Sequence, residues 1–332
     1  MLPTDETLQS IKTEGDRESF YECDVDQGSE RSQPWLLDGN IIIATDTRLF
    51  RVHRGVLCLH SQIFKDMFSS SQPDAALMVD DCPVVHLPDS GDDMYHVLQA
   101  LYDRSYSPAY SDKLPFEVTA AFLRLGKKYM IDHLYKEAKD RLASNFPTTL
   151  VGWDLADARC SGSWSVSGWT HHALTLLTAN LARETQLLSL LPAALYSAST
   201  LCTARELVHG VDDCTTGAHV LLCPENRDAV VVAHDALREL AVKTYGWLMR
   251  LPPACRLPGM DGCLDKKRTL LISLFYPKRV CTPLDEWDDA WEDRLCSECA
   301  AEAKRLHEAG RRYAWSQLPQ VYGLPKWADL KD

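Results

Sequence analysis

The residues best suited to chemistry are cysteines in the last quarter of the chain. Cys296-Ser297-Glu298-Cys299 is a Cys-x-x-Cys pair, and the periodicity around it predicts a helix over 287–316. Three residues apart on a helix, two sulfurs stand about 60° apart and roughly 4.5 Å along the axis, which suits two ligands of one tetrahedral zinc. Two more ligands are needed. Cys255 and Cys263 bracket the loop Arg256 to Gly262, which leads into the preceding predicted helix, so their side chains can fold back. We expect a structural zinc held by Cys255, Cys263, Cys296 and Cys299, with Cys281 as the spare ligand. Seven residues between the first two is an uncommon zinc spacing, and the plain alternative is that Cys296 and Cys299 pack in a helical core. His307 stands eight residues beyond Cys299, about 12 Å up the same helix, and is too distant to join them. Four thiolates leave no position for water, so the site would be structural.

Nothing else in the chain points to catalysis. There is no Gly-x-Gly-x-x-Gly, no phosphate-binding loop and no His-Glu-x-x-His. Ser163 and Ser165 lie among glycines but lack the Gly-x-Ser-x-Gly elbow. His171 and His172 adjoin, so on a helix they point to different sides. His234 is isolated and reads as a half-buried, satisfied histidine. No catalytic residue is expected, and the chain is read as a non-enzyme.

The elements that would position these residues fall into two sets. Leu36-Leu37, Ile41-Ile42-Ile43 and Leu49 to His53 read as strands, with Thr45 to Arg48 as a hairpin turn. Two short helices follow, Ser61 capping the second, and then a third core strand at Pro83 to Leu87. Helical faces recur at Met94, Val97, Leu98 and Leu101, at Val118, Ala121, Phe122 and Leu125, and at Ile131, Leu134, Ala138 and Leu142. Helices clustered after strands make an α+β module. Beyond it the pattern is helical, with segments over 170–181, from Pro192, over 228–250, over 263–275 and over 287–316. The breaker-rich apolar tail Leu318 to Trp327 is expected to pack back on these helices. The run Asp285, Glu286, Asp288, Asp289, Glu292, Asp293 reads as stabilisation of a helix start.

At this point the residues resemble a family. Asp38-Gly39-Asn40-Ile41, Phe50-Arg51-Val52-His53-Arg54-Gly55-Val56-Leu57 and His60-Ser61-Gln62-Ile63-Phe64 are similar to the opening of a BTB/POZ domain. The similarity continues through Val84-Val85-His86-Leu87-Pro88-Asp89 and Leu123-Arg124-Leu125-Gly126-Lys127-Lys128-Tyr129-Met130-Ile131-Asp132-His133-Leu134. The style also resembles the BTB proteins abundant in mushroom-forming fungi. The fold expected is therefore an α+β BTB/POZ domain followed by a mainly α-helical domain. The divisions are an acidic, disordered arm at 1–33, the BTB domain at 34–146, a linker at 147–169 and an all-α domain at 170–328. The resemblance implies homodimerisation, for which Val56, Leu57 and Leu59 on the first helix are the interface candidates. Asp38 is expected to cap or pair with Arg54 to fix that helix.

Composition narrows the function. The chain has 332 residues, 25% of them charged, and a formal net charge of −12. A pI near 5.4 argues against direct nucleic-acid binding, which needs a basic face. Residues 1–33 hold nine acids against Lys12, Arg17 and Arg31, a net −6, with little to bury. No run of eighteen apolar residues offers a membrane span. The N-terminus lacks the features of a signal peptide and no Asn-x-Ser/Thr occurs, so we expect reduced thiols and an intracellular protein, cytoplasmic or nuclear. The leading reading is a protein-interaction scaffold. The alternatives are a substrate adaptor of a cullin-type ubiquitin ligase and an indirect transcriptional regulator. Against the adaptor, Ser105-Tyr106-Ser107-Pro108-Ala109-Tyr110 lacks the hydrophobic-x-Glu element often found in cullin-binding BTB domains.

Overall fold

The computed structural model describes residues 30–69, 77–103, 105–107, 113–158, 164–257, 262–276 and 282–332. Most of the acidic arm, residues 1–29, and the spare ligand Cys281 lie outside these, as do Pro108 to Tyr110.

The first set of elements is β1 (Glu30–Trp35), β2 (Ile41–Ala44), β3 (Arg48–Val52), α1 (Arg54–His60), α2 (Gln62–Ser69), β4 (Met78–Val79), β5 (Cys82–His86), α3 (Gly91–Tyr102), β6 (Leu114–Pro115), α4 (Phe116–Lys128) and α5 (Asp132–Asn145). Five strands form a mixed sheet in the order β1-β3-β2-β5-β4. The β2–β3 hairpin is antiparallel, with Ile41 opposite Val52 and Ala44 opposite Leu49, while β1 lies parallel to β3 and β5 parallel to β2. β2 is apolar throughout because both its faces are covered. Ile41 and Ile43 join Phe50 and Val52 beneath the helices, whereas Ile42 and Ala44 meet Leu49, Cys82 and Val84 on the other face. The first strand is not at Leu36-Leu37. Those residues turn, with Gly39 N donating to Leu36 O, and the strand precedes them, crossing the expected boundary between the arm and the BTB domain. Gly39 is required there: a Cβ would lie 2.9 Å from Arg51 Cγ and 3.0 Å from Leu36 O.

Ser61 caps α2 as expected, its Oγ accepting from Phe64 N at 3.1 Å. Helix α4 is the centre of the module, buried from Phe116 to Gly126 except at Glu117 and Arg124, with α3 and α5 against it.

The second set is α6 (Leu150–Ala158), β7 (Val166–Ser167), α7 (His171–Glu184), α8 (Leu191–Leu201), α9 (Ala204–His209), β8 (Val211–Asp212), β9 (His219–Val220), α10 (Pro224–Tyr245), α11 (Cys263–Phe275) and α12 (Ser297–Val321). Residues 147–169 are not a free linker. They hold α6, whose Trp153 ring meets Tyr196 and Trp315 at 5.2 and 6.1 Å, and β7, which pairs with β6. The two sets share one apolar cluster, which runs from Ile41 in the sheet to Tyr322 after α12. Polar ties reinforce it: Arg124 to Glu184 at 2.6 Å, Lys127 Nζ to Thr185 O at 2.7 Å, and Lys139 to Asp332 at 2.7 Å.

The long helix expected over 287–316 is broken. A 3-10 turn spans Asp289–Arg294, and α12 begins at Ser297. Asp288 caps the turn by accepting from Ala290 N at 2.9 Å, while Trp287 and Trp291 enter a separate small core with Tyr245, Trp247, Leu248 and Leu270. The acidic run therefore precedes α12 rather than crossing its start. Pro319 cannot donate to Trp315 O, and the Trp327 indole N–H donates there instead at 2.7 Å, its ring stacked on Trp315. The tail thus packs back for a definable reason.

Candidate functional site

Four thiols meet where three chain segments converge. Cys255 sits in a turn, its N donating to Pro252 O at 3.1 Å. Cys263 opens α11 and is fully buried. Cys296 is the N-cap of α12 with extended backbone, and Cys299 lies buried in the first turn of that helix. The Sγ atoms of all four lie within 4.8 Å of one another. Cys296 is therefore outside the helix rather than on it, and its extended backbone changes the expected helical spacing of the Cys-x-x-Cys pair. Amide groups add to the cluster: Cys296 N donates to Cys263 Sγ at 3.3 Å. Burial opposes ionisation of Cys296, but N–H donors of Arg256 and Cys299 and the neighbouring thiols hold its pKa down to about 6. Burial pushes the Cys263 and Cys299 thiols up.

One cation shares this site, and sequence reasoning missed it. Lys267 lies one turn after Cys263 on α11, 2% exposed. Its ammonium donates to Trp247 O at 3.1 Å and Arg250 O at 2.7 Å and lies over the Trp247 ring. Burial lowers its pKa, and the four thiols oppose that shift. The i+4 spacing from Cys263 is visible in the sequence, but nothing there distinguishes it from a surface lysine.

Beside the thiols stands an aromatic nest around His307, which is fully buried. Its Nδ1 accepts from Trp247 Nε1 at 3.3 Å, and its Nε2 is 2.9 Å from Asp285 O. An indole only donates and a carbonyl only accepts, so the proton resides on Nε2 and the ring is neutral. His307 is an internal strut and no part of the thiol cluster. His172, Cys202 and Glu206 form a second close group. Glu206 there closes a capping box on α9, Thr203 N donating to its Oε2 at 2.7 Å, which accounts for the carboxylate. His234 is exposed rather than half-buried.

In the first set of elements, α1 carries the candidate interface. Leu57 is 1% exposed and belongs to the protomer's own core, so it is unavailable to a second chain. Val56 is half-buried and Leu59 is 79% exposed. Two further exposed apolar side chains flank the helix. Leu37 adjoins Asp38, which pairs with His53 at the start of α1, and Met130 precedes α5, whose His133 ring meets His60 at 5.2 Å. The expected Asp38–Arg54 pair does not form. Asp38 lies 3.3 Å from His53 Nε2, while Asn40 Oδ1 accepts from Arg54 N at 2.8 Å. The Arg54 guanidinium donates to Phe68 O and lies over the Phe68 ring. Asn40 fixes the start of the helix, and Arg54 ties α1 to α2.

The BTB/POZ domain family matches residues 34–145. That segment is a BTB/POZ domain. BTB domains are protein-interaction modules, and the match indicates no catalytic family. The mixed sheet with α1 to α5 is thus the BTB domain, and the region after it is mainly helical. No curated protein matches the chain. Among the described residues no helix is long and apolar enough to cross a membrane.

Proposed function

We propose that this chain is a non-enzymatic interaction scaffold that pairs with a second copy of itself through the α1 face of its BTB domain. The observation that carries the reading is the apolar rim of α1. Leu59 stands in solvent, and Leu37 and Met130 are exposed beside the two ends of a helix whose inner residue, Leu57, is already in the core. An isologous contact would bury this rim against its own copy. The cullin-adaptor alternative has less support. The stretch Ser105 to Tyr110 lacks the Glu of the element often found in cullin-binding BTB domains. Indirect transcriptional regulation would require a corepressor partner that no described feature selects.

The test is light scattering of the purified full-length chain. Wild type should elute at twice the chain mass, and Leu59→Glu should shift it to the monomer while leaving the circular dichroism unchanged. A wild-type monomer at tens of micromolar, roughly where a weak interface still associates, would overturn the reading.

A further inference from the structure

We propose that Cys255, Cys263, Cys296 and Cys299 hold one zinc ion as a closed four-thiolate site, with Lys267 as its buried counter-cation. This rests on geometry independent of the BTB reading. Zinc–thiolate bonds of about 2.3 Å place the sulfurs of a regular tetrahedron about 3.8 Å apart. The four Sγ atoms all lie within 4.8 Å of each other, so no pair has to close by more than about 1 Å to reach that arrangement.

Lys267 supplies the second observation. Its ammonium is buried with two carbonyl oxygens as hydrogen-bond partners and an indole face beside it. Neutral thiols would leave that charge with only the Glu302 carboxylate, on the next turn of α12, acting on it. Four thiolates around Zn²⁺ carry a net charge of −2, which the ammonium partly offsets. The chain's own architecture adds amide donors: α11 begins at Cys263 and α12 immediately after Cys296, so both helix N-termini adjoin the anionic cluster.

The site also answers a need of the fold. Tyr245, Trp247, Leu248, Leu270, Trp291 and Ala303 form a core separate from the main one. So small a core gains from a staple, and the thiol cluster joins α11, the start of α12 and the turn at Cys255. Loading the site leaves all four sulfurs as thiolates and displaces whichever thiol protons remain on them, with no change of oxidation state. The closed coordination sphere leaves no place for a reacting water, so the ion organises the fold and does no hydrolysis.

Metal analysis of the full-length protein, purified under reducing conditions without chelator, tests this directly. We expect about one zinc per chain, released by an organomercurial thiol reagent and detected with a zinc-sensitive dye. Cys263→Ser and Cys299→Ser should lose the metal, whereas Cys214→Ser, an exposed thiol, should retain it. Lys267→Met keeps the stem without the charge and should weaken zinc at least about tenfold in chelator competition. If the cysteine variants fail to fold, the wild-type stoichiometry and its release still decide. Metal-free wild type, or disulfides among the four cysteines by non-reducing peptide mass spectrometry, would overturn the site. Unchanged affinity in Lys267→Met would remove the lysine from it.

Discussion

At the scale of single residues, His307 shows how a side chain can be fixed in one protonation state by its neighbours alone. Trp247 donates to one ring nitrogen and Asp285 O accepts from the other, so a second proton would set two donors face to face. Burial holds its pKa below the ordinary imidazole value. The unfolded ring takes its proton near pH 6.5, whereas the folded one refuses it until lower pH. The contribution to stability is thus full above about 6.5 and is lost as pH falls toward the folded value. His96, His133 and His171 are lowered by burial as well, so the acid slope is shared. His307→Ala should cost about 3 kcal/mol through a cavity and two stranded polar groups, and should flatten part of that slope. Urea denaturation from about pH 7.5 to about pH 5 measures both effects. An unaltered slope in the variant would show that His307 titrates normally.

At the scale of elements, α10 and α12 pack closely enough to touch backbone to backbone. A Cβ on Gly310 would stand 2.5 Å from Thr244 Cα and 3.1 Å from Lys243 O. Neither atom can swing aside, so Gly310→Ala must push the helices apart and should cost ~1–3 kcal/mol. Gly246→Ala, which meets nothing within 4 Å, is the control and should be neutral. Thermal denaturation of the pair checks this, and equal midpoints would refute the contact. Periodicity could locate α7, α8 and α10 because each buries an apolar stripe against the shared core, and α11 because it buries Leu270 in the small one. It failed where another force set the boundary. The helix expected from residue 287 breaks because Trp287 and Trp291 are drawn into the small core and Asp288 caps a 3-10 turn. β1, with only Pro34 buried among its six residues, left no alternating signal to read. α6 was hidden by the glycines and serines around it. The four cysteines could be singled out by type and spacing, whereas Lys267 and Asn40 matter only through partners distant in the chain.

At the scale of the whole molecule, the proposed pairing face and the thiol cluster lie in different halves of the chain. The BTB domain and the helices after it share one core, so the sheet, α4 and the α7–α8 pair form a continuous body. The thiol cluster and the aromatic nest lie in the second half, beside a small core separate from the main one. The exposed α1 rim lies in the first half. Self-association and metal loading should therefore be separable, with Leu59→Glu remaining zinc-bound and Cys263→Ser remaining able to pair if its BTB domain stays folded. Native mass spectrometry of the full-length chain is the most direct measurement of the central claim, because it weighs the assembly. The scaffold reading predicts a species at twice the 37.4 kDa chain mass that Leu59→Glu converts to the single mass. A wild-type spectrum holding only the single chain mass would contradict it.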